Sequence, residues 1–137
     1  MKTKQQLEEQ IIDMYLSNKI SSDTKDAKLL FLNLYPSKKG LKFIESMLKK
    51  PRELEFMRKV VDREIDLEEK GLEISDMSKE YVKSIFNSLV QKRFLKKVGK
   101  EYALTHNSNL DPDSLSDAEA LVYVKFREMV FNEMTKN

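Results

Sequence analysis

Residues 78–105 read SKEYVKSIFNSLVQKRFLKKVGKEYALT, and the change of hydrophobic period inside this stretch sets the expectation for the whole chain. Ser78 is placed as an N-cap, because its hydroxyl can accept a backbone N–H that the first helical turn leaves unpaired. Val82, Ile85, Phe86 and Leu89 then recur at the i, i+3, i+4, i+7 spacing that buries one face of a helix. The opposite face carries Lys79, Glu80, Lys83, Ser84, Asn87, Ser88 and Gln91, side chains able to hydrogen-bond base edges or phosphates. Phe94 and Leu95 end the helix, Val98-Gly99-Lys100 supplies a turn, and Tyr102-Ala103-Leu104 returns with strand-like alternation. The expectation is a helix followed by a tight basic hairpin.

This stretch resembles the second half of winged helix-turn-helix DNA-binding domains. There a recognition helix is followed by a hydrophobic pair, a basic hairpin and a closing Tyr-x-Leu-Thr. The matching positions are Ser78, Val82, Phe86, Leu89, Phe94, Leu95, Gly99, Tyr102, Leu104 and Thr105, within 28 of 137 residues. Two departures stand out. Arg93 occupies the place where the family closes the recognition helix with Gly, which predicts a helix running on into the strand. In addition, only Leu72–Met77 separates Gly71 from Ser78, where family members fit a short strand, a second helix and a turn. The second helix is therefore expected to be reduced to a turn, or its place taken by the long upstream helix.

Working outward, the fold class expected is mainly α with a small β-hairpin: a winged-helix core with N-terminal helices and a long C-terminal helix. Thr3 with Gln6 forms a capping box for a first helix to about Asn18, with Leu7, Ile11, Met14 and Tyr15 on one face. Ser21 to Asp26 supplies caps for a second helix carrying Ala27, Leu30, Phe31 and Leu34, which Pro36 stops. Residues 36–40 read as a turn, and Leu41, Ile44 and Leu48 as a short third helix. Pro51 suits the first position of a fourth. Its expected inner stripe is Leu54, Met57, Val61 and Ile65, with Glu55–Lys59 and Asp66–Lys70 pairs outside. Gly71 is placed to end it, and Leu72–Ser75 reads as a short strand padding the wing. His106–Ser114 is polar and reads as a loop. Ser116 with Glu119 then opens the last helix with a second capping box. The chain divides on this reading into an N-terminal extension, 1–50, a core, 51–105, and a loop with a C-terminal helix, 106–137, forming one domain.

The last helix bears Leu121, Val122, Val124, Phe126, Met129, Val130, Phe131 and Met134 over more than half its circumference. Such a helix needs cover on two sides. One side is expected on its own domain and the other on a second copy, giving a homodimer, as the resemblance to dimeric regulators and replication terminators implies. The alternative is a monomer in which the N-terminal helices supply the cover.

Composition narrows the function classes. The chain is 40% apolar and 35% charged, with no cysteine, so disulfides, thiolate metal sites and cysteine nucleophiles are excluded. No secretory signal is legible, no apolar run is long enough to span a bilayer, and a cytoplasmic setting is expected. The net charge of +2 hides segments: +5 over Lys38–Lys59, −5 over Asp62–Asp76 and +5 over Lys79–Glu101. The reading helix and wing are thus basic within a nearly neutral chain.

Catalytic chemistry is not expected. His106 is the sole histidine and has no evident triad. Asp111, Asp113 and Asp117 lack the glycine and bidentate glutamate of a calcium loop and read as helix-capping residues. Gly40, Gly71 and Gly99 are too scattered to cradle a phosphate. No cofactor or metal is implied.

The partner expected is double-stranded DNA. Lys83, Ser84, Asn87 and Ser88 would approach base edges from the groove-facing helix, with Gln91 on the same polar face, Lys96, Lys97 and Lys100 would hold flanking phosphates from the wing, and Ser78, Lys79 and Arg93 would add backbone contacts. Asn87 is the candidate for adenine. Two alternatives compete: the lysines form an ordinary solvated exterior, or the fold is a protein-interaction adaptor in a transcription or replication complex.

Overall fold

The first three helices each open on a local hydrogen-bonding device. In α1 (Lys4–Leu16) the Thr3 hydroxyl accepts from the Gln6 N–H at 3.2 Å and the Gln6 amide oxygen accepts from the Thr3 N–H at 2.9 Å. This is the capping box expected from sequence. α2 (Ser22–Leu34) is opened by Ser21, whose Oγ accepts from the Thr24 N–H at 3.2 Å. The stretch 36–40, read above as a turn, contributes its last three residues to α3 (Lys38–Met47). Ser37 provides the reason, since its Oγ accepts from the Gly40 N–H at 3.0 Å and makes the polar run a helix start.

The computed structural model describes the backbone of residues 2–34, 37–47, 50–105 and 107–136, without the side chains at positions 23, 27, 31, 34, 44, 47, 51 and 135. The roles expected for Ala27, Phe31, Leu34, Pro36, Ile44, Leu48 and His106 lie outside these described residues. The architecture is mainly α, with a single described β-hairpin and a long last helix.

Two units divide the chain. The first comprises residues 1–54 and 131–137. Here α1 packs on α2 and α2 on α3, burying Leu7, Ile11, Leu32 and Leu41. Phe43 and Phe131 meet with ring centroids 5.4 Å apart.

The second unit, 55–130, holds most of α4 (Pro51–Glu69), then α5 (Lys79–Gln91), β1 (Leu95–Val98), β2 (Glu101–Leu104) and most of α6 (Asp117–Thr135). α4 begins at Pro51 as its fixed φ favours. Its buried residues are Leu54, Phe56, Met57, Val60 and Leu67, whereas Ile65 is 48% exposed and Val61 only half-buried. The inner stripe is thus turned from the expected one. The Asp66–Lys70 pair forms at 3.1 Å, but Lys59 turns to Asp111 at 3.8 Å instead of Glu55. The core is completed by Ile85, Leu89, Phe94, Leu95, Leu104 and Leu121–Val124, with Phe94 edge-on to Tyr123 at 5.1 Å.

Gly71 ends α4 at φ +71°. Its N–H donates to the Glu68 carbonyl at 3.0 Å and that of Leu72 to Leu67 at 3.3 Å, the paired bonds of a Schellman ending. No strand follows. Ile74–Asp76 forms one 3₁₀ turn, in which Asp76 and Met77 donate to Glu73 and Ile74. These local bonds satisfy backbone groups that a strand would have needed a neighbour to satisfy. The interval before α5 is accordingly a turn rather than a helix.

Arg93 corrects the other expectation. The helix does not run into β1: α5 stops at Gln91, and Arg93 takes φ +68°. The Arg93 N–H donates to Val90 and that of Phe94 to Leu89, repeating the ending seen at Gly71. The Thr105 hydroxyl donates to the Arg93 carbonyl at 2.7 Å and holds this corner from the far end of the hairpin. A side chain at this φ is strained by about 1 kcal/mol relative to glycine. In denaturant titrations Arg93→Gly is expected to stabilise the chain by about 1 kcal/mol and Gly71→Ala to destabilise it by a similar amount. No gain from Arg93→Gly would mean that the corner is not left-handed in solution.

Candidate nucleic-acid interface

Helical periodicity decides which α5 residues can read a ligand. Ile85 and Leu89 are buried, and one turn apart on the far side Lys79, Lys83, Asn87 and Gln91 form an exposed stripe. At 1.5 Å per residue this stripe runs for about 18 Å. Glu80 and Ser84, also exposed, flank it. Glu80 complements the positive N-terminal end of the helix dipole, but it is the one carboxylate on this face and opposes phosphate there.

The hairpin is tied to this helix by aromatic packing. Leu95 pairs with Leu104, Lys96 with Ala103, Lys97 with Tyr102 and Val98 with Glu101. The two-residue loop puts Gly99 at φ +63° in its first central position, the pattern of a II′ turn that matches strand twist. Side chains alternate, so Leu95, Lys97, Tyr102 and Leu104 share one face and Lys96, Val98 and Ala103 the other. The Tyr102 ring stacks on Phe86 with centroids 4.8 Å apart, and its hydroxyl donates to Asn87 Oδ1 at 3.3 Å. Phe86 in turn meets Phe126 of α6 edge-on at 5.7 Å. Lys97 Nζ lies 5.9 Å from the Tyr102 ring centre, at the outer limit for a cation–π contact.

These contacts sort the eleven residues singled out from sequence. Lys79, Lys83, Gln91, Arg93, Lys96, Lys97 and Lys100 are exposed, and among the described residues none of the six cations forms a salt bridge. Asn87 is exposed but already oriented, with its carbonyl turned to Tyr102 and its NH₂ left to donate. Lys97 sits on the hairpin face turned to α5, whereas Lys96 projects from the other face. Ser78 Oγ accepts from the Tyr81 N–H at 3.1 Å, fulfilling its capping role. The Ser84 hydroxyl donates to the Tyr81 carbonyl at 2.6 Å, which commits its proton to its own helix.

Ser88 is not part of the exposed stripe. It is half-buried, and its hydroxyl donates to Glu119 Oε2 at 2.5 Å. Lys92 Nζ reaches Glu119 Oε1 at 2.8 Å, and that oxygen also accepts from the Ser116 N–H at 3.0 Å. Glu119, read from sequence only as half of a capping box, thus clamps the end of α5 to the start of α6. Burial pushes its carboxyl up, but the hydrogen bonds from Lys92, Ser88 and Ser116 outweigh that and bring it down to about 2.

Ion pairs hold α4 to the same corner. Arg63 donates to the Leu115 carbonyl at 2.8 Å and pairs with Asp117 at 3.0 Å, and Lys70 bridges Asp66 and Asp117 at 3.1 and 3.3 Å. Asp117 does favour the α6 N-terminus as expected, and hydrogen bonding from Lys70 is the main cause holding its carboxyl below the ordinary range.

The eight α6 residues assigned to a dimer seam separate differently. Leu121, Val122, Val124 and Phe131 are buried within one chain, Phe126 and Val130 are half-buried, and only Met129 and Met134 are exposed, at 58% and 47%. The four buried positions are unavailable to a second copy because their own chain covers them. Met129 and Met134 lie about 140° apart around the helix and form no common stripe.

Among the described residues no helix is long and apolar enough to cross a membrane, and no group of three or more acidic or histidine side chains is placed to hold a metal ion. Comparison with protein-family models, with curated proteins and with solved structures finds no match to this chain.

The Glu119 clamp has a definite pH signature. Its folded value lies below the ordinary 4.5, so its contribution is complete above that value and is lost as pH falls towards about 2. Glu119→Gln is expected to lower stability at pH 7 by about 2 kcal/mol and to flatten the acid limb of the stability curve. An acid limb identical in wild type and variant would remove Glu119 from this role.

Proposed function

We propose that this chain binds double-stranded DNA in a sequence-specific manner, as a small cytoplasmic transcriptional regulator of winged helix-turn-helix type. The observation that carries the reading is an exposed Lys79-Lys83-Asn87-Gln91 stripe with a hairpin stacked against the same helix, Lys79, Lys83, Arg93, Lys97 and Lys100 being exposed and without a salt bridge among the described residues. In this reading α5 enters the major groove, Lys83, Asn87 and Gln91 approach base edges, and Lys97 and Lys100 hold a flanking phosphate strand. Asn87 donates through its NH₂ to an acceptor such as adenine N7 while Tyr102 steadies its carbonyl. Ser88 is withdrawn from the contact set, and Lys96 reaches phosphate only from the outer hairpin face. No cofactor and no catalytic step enter, and the reading holds for a monomer as it does for a homodimer.

A second reading, a protein-interaction adaptor, is favoured by one observation: a single 3₁₀ turn stands before α5 where a docking helix would otherwise support it. Fluorescence anisotropy with random duplex separates the two. With about five phosphates neutralised, affinity should fall roughly 10²–10³-fold between 50 and 200 mM salt. Absence of binding up to about 100 μM duplex at low salt would favour the adaptor.

Within the DNA reading, Asn87→Ala is expected to relax preference at one base position at a cost of about 1–3 kcal/mol. Lys97→Ala should weaken all sequences alike and reduce the salt slope by about 1. Selection from a random duplex pool followed by titration of both variants checks the pair, and unchanged binding by both would refute the assignment.

A further inference from the structure

The second unit contains a cavity of about 430 Å³ bounded by α4, the turn after Gly71 and α6. That volume falls within the range of small-molecule sites. Its floor is apolar: Leu67, Leu121 and Val124 are exposed by only 1–3%. Leu72 forms a wall and remains 38% exposed, an uncompensated apolar surface beside the opening.

The rim has the opposite character. Glu64 and Glu68 stand one turn apart on α4, and Glu73 faces them from the turn. None of the three forms a salt bridge among the described residues. The single cation on the lining, Lys125, is paired with Glu128 at 3.7 Å. Burial first, and the neighbouring Glu128 carboxyl second, push Glu64 above its ordinary value against the opposing pull of Lys125.

We infer that this cavity is a binding site for a small organic cation with an apolar body, its ammonium group drawn to the Glu64–Glu68 rim and its hydrocarbon part laid against the exposed Leu72 wall, above the Leu67, Leu121 and Val124 floor. Both halves of the complementarity are needed. An uncharged molecule brings no counter-charge to the rim carboxylates, and a bare metal ion leaves the exposed Leu72 wall uncovered. The assignment stands independently of DNA binding, since no residue of the α5 stripe or the hairpin lines the cavity.

The test compares three probes with one tail and different charge: 4-phenylbutylammonium, 4-phenylbutanol and 4-phenylbutyrate, titrated into the full chain at low salt and followed by amide NMR shifts. The ammonium should shift the amides of Leu72, Glu73, Ile74 and Leu121 saturably with Kd below about 1 mM. The alcohol should bind at least tenfold more weakly, and the carboxylate should leave these amides unmoved. Glu64→Gln combined with Glu68→Gln should bring the ammonium to the level of the alcohol. If that double variant does not fold, Glu73→Gln alone should weaken the ammonium two- to threefold and leave the alcohol unchanged. Equal binding of the three probes, undiminished binding by the variants, or no shift in residues 64–75 up to about 10 mM ammonium would overturn the assignment.

Discussion

A carboxylate that accepts hydrogen bonds from two helices at once governs the geometry of the second unit. Glu119 takes bonds from Ser88 and Lys92 on the last turn of α5 and from Ser116 at its own helix start. It is only 8% exposed, so its charge is shielded from water and needs all of these donors. These bonds act with burial of Ile85 and Leu89 to set the rotation of α5 about its axis. With Ser88 pinned inward, Lys83, Asn87 and Gln91 are carried outward. The proposed reading stripe is therefore set by the Ser88 bond at its flank together with the buried Ile85–Leu89 face opposite it.

The same logic extends to the hairpin. Arg93 must turn the chain at a left-handed φ for Phe94 and Leu95 to enter the core immediately after the helix. Thr105 then bonds back to the Arg93 carbonyl, and Tyr102 lies flat on Phe86. Strain at Arg93 is offset by burial of Phe94 and Leu95, each of which contributes on the order of 2 kcal/mol when removed from water. The hairpin is consequently not an independent finger. It is registered on α5 by one ring and one hydroxyl, which also orient Asn87.

What could be read from sequence was whatever depends on residues three or four apart. Thr3 with Gln6, Ser116 with Glu119, Gly71 as a helix end and Gly99 as a turn were all legible, because each device closes within one turn of chain. Glu119's partners were not, since Ser88 and Lys92 lie 31 and 27 residues away. The α4 stripe was misread for a related reason. Val61 with Ile65 and Val60 with Leu67 are alternative apolar patterns on overlapping faces, and only the packing partner selects between them. The circumference of α6 posed the same problem at larger scale, because an apolar pattern shows that cover is needed without showing whose side chains provide it.

Charge in this unit is sorted by partnership more than by sequence position. On α4 the cations Lys59, Arg63 and Lys70 are drawn to Asp111 and Asp117, which neutralises acids that would otherwise crowd the α6 N-terminus. That leaves Glu64, Glu68 and Glu73 around the cavity without a salt bridge among the described residues. On α5 and the hairpin the balance is reversed: Lys92 is taken up by Glu119, and the other cations form no salt bridge among the described residues. A nearly neutral chain is in this way divided into two surfaces of opposite sign. Attraction of phosphate to one of them does not require the protein as a whole to be basic.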